Sequence, residues 1–525
     1  MQSACKSRER DPEIPDAAPT RHANEAFGHV AHARLDSVVV GENESGIERV
    51  RIALDAQGNF RGTAPADVIQ WHASSSGVLN PASARLPPGT GVPLRLEADP
   101  GALVTLVIEE HGTKRKVPAR VLLRGLDGTL DPSFGGESGD HGAGPLLDTD
   151  GAANVRILRG KYRVYATHGP GWSLAQQDIE VPEWGATVAL TLKRAWAFPA
   201  SQPWQACDLH VHSSLSFDSH VTMQSRVRSL LAAGIDFAVP TEHNTPGSFP
   251  RMGSTAWSPG VEITPEKPSF GHVGVFPWPT GANMPQTVGT TANALYTDLR
   301  RRAPKALLVL HHPRFENDSI GMFRTTPREL SQFRYDGLEL MNGYDNPTPE
   351  HARTLLGDLN TIALQGKHPF ITASSDAHNL LYSWAGWPRT YVQSASTSVG
   401  DVMAGLKAGR VTLSNGPLVL FDVDGKGSGS TVRGARKAVL RAHVMAASWV
   451  NVSRVAFYAG NMELYHAALT PDLHGLTDMS VTWEATLPSE GFVTAIVQGE
   501  TNLSEQVPFL NVIPLGIAGP VWLSR

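Results

Sequence analysis

The sequence predicts a multidomain protein, with a central α/β segment of barrel type between N-terminal and C-terminal β-sandwich domains. Three observations predict this. At 525 residues the chain is too long for a single core. Strand-like and helix-like runs alternate only between about residues 198 and 417. On either side of that segment, short runs of alternating apolar and polar residues lie between Gly, Pro, Asn and Asp clusters.

Taken in order, residues 1–35 are polar and predicted to be a disordered tail. Residues 36–115 read as an N-terminal β domain, with "LDSVVVG", "ERVRIALD" and "VPLRLEAD" as strands. Residues 116–197 read as a second β-sandwich, in which "RGKYRVYATHG" resembles a strand of carboxypeptidase-regulatory-like modules. From 198 to 417 strands such as "CDLHVH", "DFAVPTEHN", "ALLVLHHP" and "PFITASSDAH" alternate with helical runs. "MQSRVRSLLAAG" places Val227, Leu230 and Leu231 on one helix face and Gly234 at its C-terminal cap. Residues 418–525 return to β and read as a C-terminal sandwich.

Composition narrows the function. The net charge of −5 gives no basic footprint, so no nucleic-acid partner is expected. No apolar run reaches the length of a membrane span. The two cysteines, Cys5 and Cys207, offer no disulfide framework, and Cys207 reads as core. Ser3-Ala4-Cys5 resembles the end of a lipoprotein signal without its hydrophobic part, and the expectation drawn from it is an exported, periplasmic or lipid-anchored protein.

The chemistry lies in the central segment, where predicted strands end in His, Asp or Glu. His210 and His212 are i and i+2 on a strand and share a face. Asp376 and His378 repeat that spacing, His243 ends "FAVPTEH", and His312 ends "LLVLHHP". Glu262 lies in "GVEIT", His272 in "FGHVGVF", and Asp218 just after the first strand. Parallel strands in a barrel deliver their C-terminal ends to one face, so these six histidines and three carboxylates are expected to meet. Imidazole and carboxylate together suit zinc, manganese or iron. Nine donors exceed the need of one ion and fit two or three divalent transition ions, with a carboxylate such as Glu262 as the natural bridge. Such a cluster stays positively charged, so the expected partner is a small anionic ester substrate.

These residues carry a resemblance. In the order HxH, Asp, EH, Glu, His, His, DxH, the segment from Cys207 to about Pro417 resembles the PHP (polymerase and histidinol phosphatase) superfamily of metallohydrolases. "DLHVHSSLSFDS", "GIDFAVPTEHN", "FGHVGVFP", "WPRTYV" and "AGRVTLSNGP" are similar to its CehA/McbA-like branch. The resemblance implies a distorted (β/α)7 barrel. It also implies one metal held by His210, His212, Glu262 and Asp376, a second by Glu262, His272 and His312, and a third by Asp218, His243 and His378. Where many members have "TDHN", this chain has Glu242, which reads as a residue orienting a ligand histidine. His312 rather than His311 matches the ligand position before proline.

The activity expected is hydrolysis by a metal-activated water, most readily of a phosphomono- or phosphodiester. The alternatives are hydrolysis of carbamates, amides or carboxylic esters, and a non-catalytic metal-containing binding protein. His243, His378 and His311 are candidates for the general acid. Arg389 in "WPRTYV" and Asn415 in "LSNGP" are candidates for substrate binding.

Overall fold

The structure, a computed structural model, describes residues 24–525 apart from short stretches at 32, 34–36, 45–47, 76–77, 80–83, 86–93, 136–141, 200, 252, 267–270, 316–325 and 344–347. Cys5 and residues 1–23 of the expected tail lie outside the described residues. No helix among the described residues is long and apolar enough to cross a membrane.

The chain divides at Pro100 into two compact units. In the first, one sheet has the order Asn59–Ala64, Asn24–Ala31, Leu94–Glu97. A second sheet is centred on Val38–Glu42 and Gln70–Ser75. Trp71, Val39, Phe60 and Leu96 are buried in their common core. Strand Asn24–Ala31 is a correction to the expected tail. It pairs with Asn59–Ala64 and Leu94–Glu97, and its alternate residues Ala26 and Val30 are buried. That alternation is too short to stand out beside polar flanks.

The second unit begins with a sandwich. One sheet is centred on Ala119–Leu126 and Gly160–Thr167. The other has the order Ala152–Ile157, Ala102–Glu110, Ala186–Leu192. Ala102–Glu110 falls in the range expected for the first β domain. Its inward series Val104, Leu106 and Ile108 is instead buried with Val121, Val164 and Leu190 of this sandwich.

The central segment supplies the strands that matter most, labelled here β1 (Trp204–Val211), β2 (Phe237–Pro240), β3 (Val261–Ile263), β4 (Val273–Phe276), β5 (Leu307–Leu310), β6 (Gly337–Asn342) and β7 (Phe370–Ser374). β1 and β2 are parallel, as are β5–β6 and β6–β7. β4 runs antiparallel to both β3 and β5. Two isolated parallel bridges, Val211↔Ala377 and His243↔Glu262, complete a circuit of strands. A regular (β/α)7 repeat is not what forms. Helices α1 (Met223–Ala232), α2 (Ala292–Arg302), the short α3 (Pro327–Leu330) and α4 (Pro349–Ala363) serve four of the connections. β3 and β4 form a hairpin of paired strands instead.

Local chemistry explains these elements. The Thr222 hydroxyl caps α1 by accepting from the Ser225 N–H at 3.1 Å. Gly234 ends the turn at φ 69°, a conformation open to glycine. β5, "LLVL", is buried along its whole length, as a strand covered on both faces must be.

The predicted C-terminal sandwich is not a separate body. Beyond β1, the sheet continues through Arg389–Gln393 and Val411–Ser414 into Leu515–Ala518, Gly491–Gln498 and Arg454–Ala459. Val411–Ser414 pairs antiparallel with Leu515–Ala518, so the central and C-terminal segments share one sheet. A second sheet, centred on Lys437–Ala446, packs its apolar face with it around Leu440, Val444, Phe457 and Val497.

Candidate metal centre

All nine predicted ligands meet at one end of the strand circuit. His210 lies at the end of β1 and His212 just after it, His243 follows β2, His312 follows β5, and Asp376 and His378 follow β7. Glu262 lies within β3. His272 precedes β4 in sequence, yet it reaches the same end because β4 runs in the opposite direction.

Glu262 is the hub. Its Oε1 lies 3.2 Å from His210 Nε2, 3.2 Å from His272 Nδ1 and 3.3 Å from His312 Nε2. Its Oε2 lies 3.0 Å from His243 Nδ1. Asp376 Oδ1 stands 3.1 Å from His210 Nε2 and 3.0 Å from His212 Nε2. Asp218 Oδ2 is 3.1 Å from His243 Nε2 and 3.2 Å from His378 Nε2. Four compact donor groups result: His210–His212–Asp376, His210–Glu262–His312, His243–Glu262–His272 and His212–Asp218–His243–His378.

Two observations test whether a cation fits. Glu262 Oε2, His272 Nδ1 and Asp376 Oδ1 are buried without a hydrogen-bond partner in the structure, although each lies near other donor atoms. Ligands about 2.1 Å from one tetrahedral ion stand roughly 3.4 Å apart, close to the spacings here. The second observation is a pair of facing nitrogens. His212 Nδ1 is 2.8 Å from Ser216 Oγ, whose own hydroxyl donates to Glu242 Oε2 at 2.7 Å. That chain makes His212 Nδ1 the donor and leaves Nε2 as a lone pair. His210 Nδ1 faces Glu339 Oε1 at 3.4 Å, which assigns its Nε2 in the same way. The two Nε2 atoms then face each other at 3.1 Å, an arrangement that calls for a positive charge between them. The donor set fits divalent transition ions.

The surrounding carboxylates favour positive charge at this cluster. Burial opposes charge on His210, but Asp376, Glu262 and Glu339 outweigh it and hold its pKa well above the ordinary value. Burial, aided by His378, depresses that of His212 to about 3. Burial also opposes ionisation of Glu262, but His272, His210 and His243 hold its carboxyl well below the usual range. Both His312 (φ 24°) and Asp376 (φ 50°) have left-handed backbone, which costs of order 1–3 kcal/mol each and concentrates at functional sites.

The other predicted residues separate. Glu242 is fully buried and accepts from Ser213 N, Ser213 Oγ and Ser216 Oγ at 2.9, 2.5 and 2.7 Å, so it reaches His212 through Ser216. His311 is buried, stacks on His210 with ring centroids 3.7 Å apart, and brings Nδ1 to 2.9 Å from Glu262 Oε1. Arg389 is a correction. Its guanidinium donates to the Gly386 and Ala233 carbonyls, and it lines a cavity with Trp204 and Asp236, residues before or at the start of their strands. Its backbone precedes Thr390, the partner of Cys207, but its guanidinium turns to the Ala233 carbonyl beyond the end of α1, just before β2 begins. Asn415 is corrected too: it is buried, and its backbone N–H and side-chain amide turn to the Leu515 and Ile513 carbonyls of the C-terminal segment. Cys207 is buried and free, as expected for core.

Four residues were missed. Glu339 accepts from His312 N and Asn342 Nδ2 at 2.8 and 2.9 Å while facing His210. Asp208 accepts from Ser375 N, Ser375 Oγ and Gly386 N, fastening β1 to the loop that carries Asp376. Arg226, fully buried on α1, donates to the carbonyls of His212 and Ala377 at 2.8 and 2.9 Å. Ser216 links Glu242 to His212. A carboxylate inside the apolar run "GLELMN" is the one signal that pointed to Glu339.

No protein-family model matches the chain, and no curated protein matches it. Among solved structures it is similar to a two-domain protein from Bacteroides vulgatus containing a predicted PHP-like metal-dependent phosphoesterase. The identity is 14%, over 62% of this chain and 98% of that one, with a TM-score of 0.36. It is also similar to a lesion-specific endonuclease from Pyrococcus furiosus, at 12% identity over 39% of this chain and 56% of that one, TM-score 0.29. The group B streptococcus pilus 2b backbone protein matches at 14% identity over 34% of this chain and 88% of that one, TM-score 0.16. Superpositions at these scores carry no argument about activity, which rests on the site itself.

Proposed function

We propose that the chain is a metal-dependent hydrolase of PHP type that cleaves a phosphomono- or phosphodiester at the histidine cluster. In this reading the strand circuit is the distorted (β/α)7 barrel of that superfamily, with a hairpin in place of one strand–helix unit. His210, His212, Glu262 and Asp376 hold one ion, Glu262, His272 and His312 a second, and Asp218, His243 and His378 a third. The facing lone pairs of His210 and His212, between Asp376 and Glu262, are the observation that carries the reading.

When bound, the ions would supply an activated water and a Lewis acid for the developing oxyanion. The chain's own groups do the rest. Glu242, through Ser216, and Glu339 fix the tautomers of His212 and His210. His311, stacked and buried, steadies Glu262 and is badly placed to reach a leaving group. With only the first two ions bound, proton donation falls to His378, which is then not a ligand and whose partner Asp218 has a side chain 35% exposed. Phe217, 78% exposed, stacks on His243 at 4.8 Å and offers the leaving group an apolar face.

That apolar face, with exposed Leu215 nearby in sequence, also favours a second reading, hydrolysis of an aryl carbamate or ester. Turnover of bis-p-nitrophenyl phosphate against 1-naphthyl carbamate, with manganese or zinc added, separates the two. Metal analysis of the purified protein is expected to find about two or three transition ions per chain, given roughly four ligands to each ion. Full turnover without any transition metal would overturn both readings.

A further inference from the structure

A cavity of about 460 Å³ lies against the opposite ends of the same strands. That volume is within the range of small-molecule sites, roughly 300–1,000 Å³. Trp204 and Ala206, at the start of β1, form part of its wall. His210 stands four residues further on, about 13 Å at the rise of a strand. The second sandwich contributes Arg115, Lys116, His168, Trp172 and Arg194, and none of the nine candidate metal ligands lines the cavity.

Its wall is cationic and aromatic. Arg115, Lys116, Arg194 and Arg389 line it, with Asp236 as the acidic counterpart. Glu110 pairs with Arg115 at 3.0 Å and with Arg194 at 3.6 Å. Four cations against these two carboxylates leave two positive charges. Asp236 is already engaged, its Oδ2 accepting from the Ala206 N–H at 2.8 Å.

The donors on this wall are incomplete. Arg389 is 2% exposed; its Nε and Nη1 donate to backbone carbonyls, while Nη2 has no hydrogen-bond partner in the structure. Trp196 Nε1 and Trp204 Nε1 are likewise buried without an acceptor. Burying an N–H without an acceptor costs about 1–3 kcal/mol, and three residues that line the cavity each carry one. The rings of Trp196, Phe198, Trp204 and Tyr391 form a packed group with centroids 5.3–5.6 Å apart, an apolar surface beside those donors.

We propose that this cavity is a second binding site, for a small organic anion with a carboxylate or phosphate on an aromatic frame. Arg389 and Arg194 hold the anionic group, and the aromatic group packs against the frame. The inference does not depend on the hydrolase reading, because it uses no residue of the metal cluster.

The test is titration of the full-length, metal-loaded protein with 1-naphthoate, the non-hydrolysable 1-naphthylphosphonate and neutral 1-naphthamide, followed by calorimetry and by tryptophan fluorescence. Saturable 1:1 binding of the naphthoate with Kd below about 1 mM, and little binding of the amide, is expected. Arg389→Met and the more exposed Arg194→Gln should each weaken it at least about tenfold, the loss of one charge-assisted contact. The two acids identify the anionic group preferred. Asp376→Ala, at the histidine end, should leave naphthoate binding intact. No saturable binding of either acid, equal binding of the amide, or binding that survives Arg194→Gln but falls with Asp376→Ala would each overturn the proposal.

Discussion

The two ends of strand β1 differ in kind. At its C-terminal end His210 and His212 sit among Glu262, Asp376 and Glu339, a set whose carboxylates call for cations. At its N-terminal end Trp204 lines a cavity rich in Arg and Lys, where the surplus charge is positive. Eight residues of one strand thus join an acceptor-rich site to a donor-rich one. The contrast teaches that strand polarity, more than sequence distance, sorts chemistry: side chains six residues apart serve opposite electrostatics.

The largest break in this comparison is removal of a carboxylate that faces both His210 and His212. Asp376→Ala should lower metal-dependent turnover of a model phosphodiester by at least about 10³-fold, about 4 kcal/mol of lost stabilisation. Bound metal, measured by elemental analysis, should fall with it. Ser216→Ala is gentler. It removes the link from Glu242 to His212 and should weaken metal affinity about 10–100-fold, read by chelator competition.

A third test probes the cationic end. Burial, with the charge of Arg389 beside it, depresses the pKa of His168 to about 4, although its Nδ1 bonds the Ala232 carbonyl at 3.1 Å. The unfolded chain takes up the proton near pH 6.5 and the folded chain only near 4. Stability from this group is therefore complete above about 6.5 and is lost as pH falls towards 4, by at most about 3 kcal/mol. His168→Asn, which keeps a donor for Ala232, should flatten that part of the pH–stability curve measured by urea unfolding. The smallest effect is expected of Phe217→Ala: a several-fold rise in KM for an aryl ester, about 1 kcal/mol of lost apolar contact, with metal content unchanged.

The candidate site was more legible than the fold around it. H-x-H and D-x-H announce themselves because a two-residue spacing on a strand fixes a shared face. His272 needed no special rule, since the reversal of β4 returns its first residues to the same end as the other ligands. Glu339 and Asp208 were hidden because a carboxylate in a buried strand is identified only by its partners across the circuit. Arg389 misled for the same reason: its residue type suits an anion, but its guanidinium is turned to the Gly386 and Ala233 carbonyls. The domain boundaries failed where pairing is non-local. Strand Ala102–Glu110 finds its partners at 152–157 and 186–192, and Val411–Ser414 finds one at 515–518.

That last pairing bears on how the molecule is made. A ribosome that has synthesised the chain as far as residue 450 has already produced every histidine and carboxylate of the cluster, together with Val411–Ser414. The partner of that strand, Leu515–Ala518, is still untranslated. Until those residues emerge, the growing protein presents an open sheet edge next to its chemistry. Translation must therefore run about a hundred residues beyond the strand before the edge can be covered, a delay in which chaperone capture competes with completion.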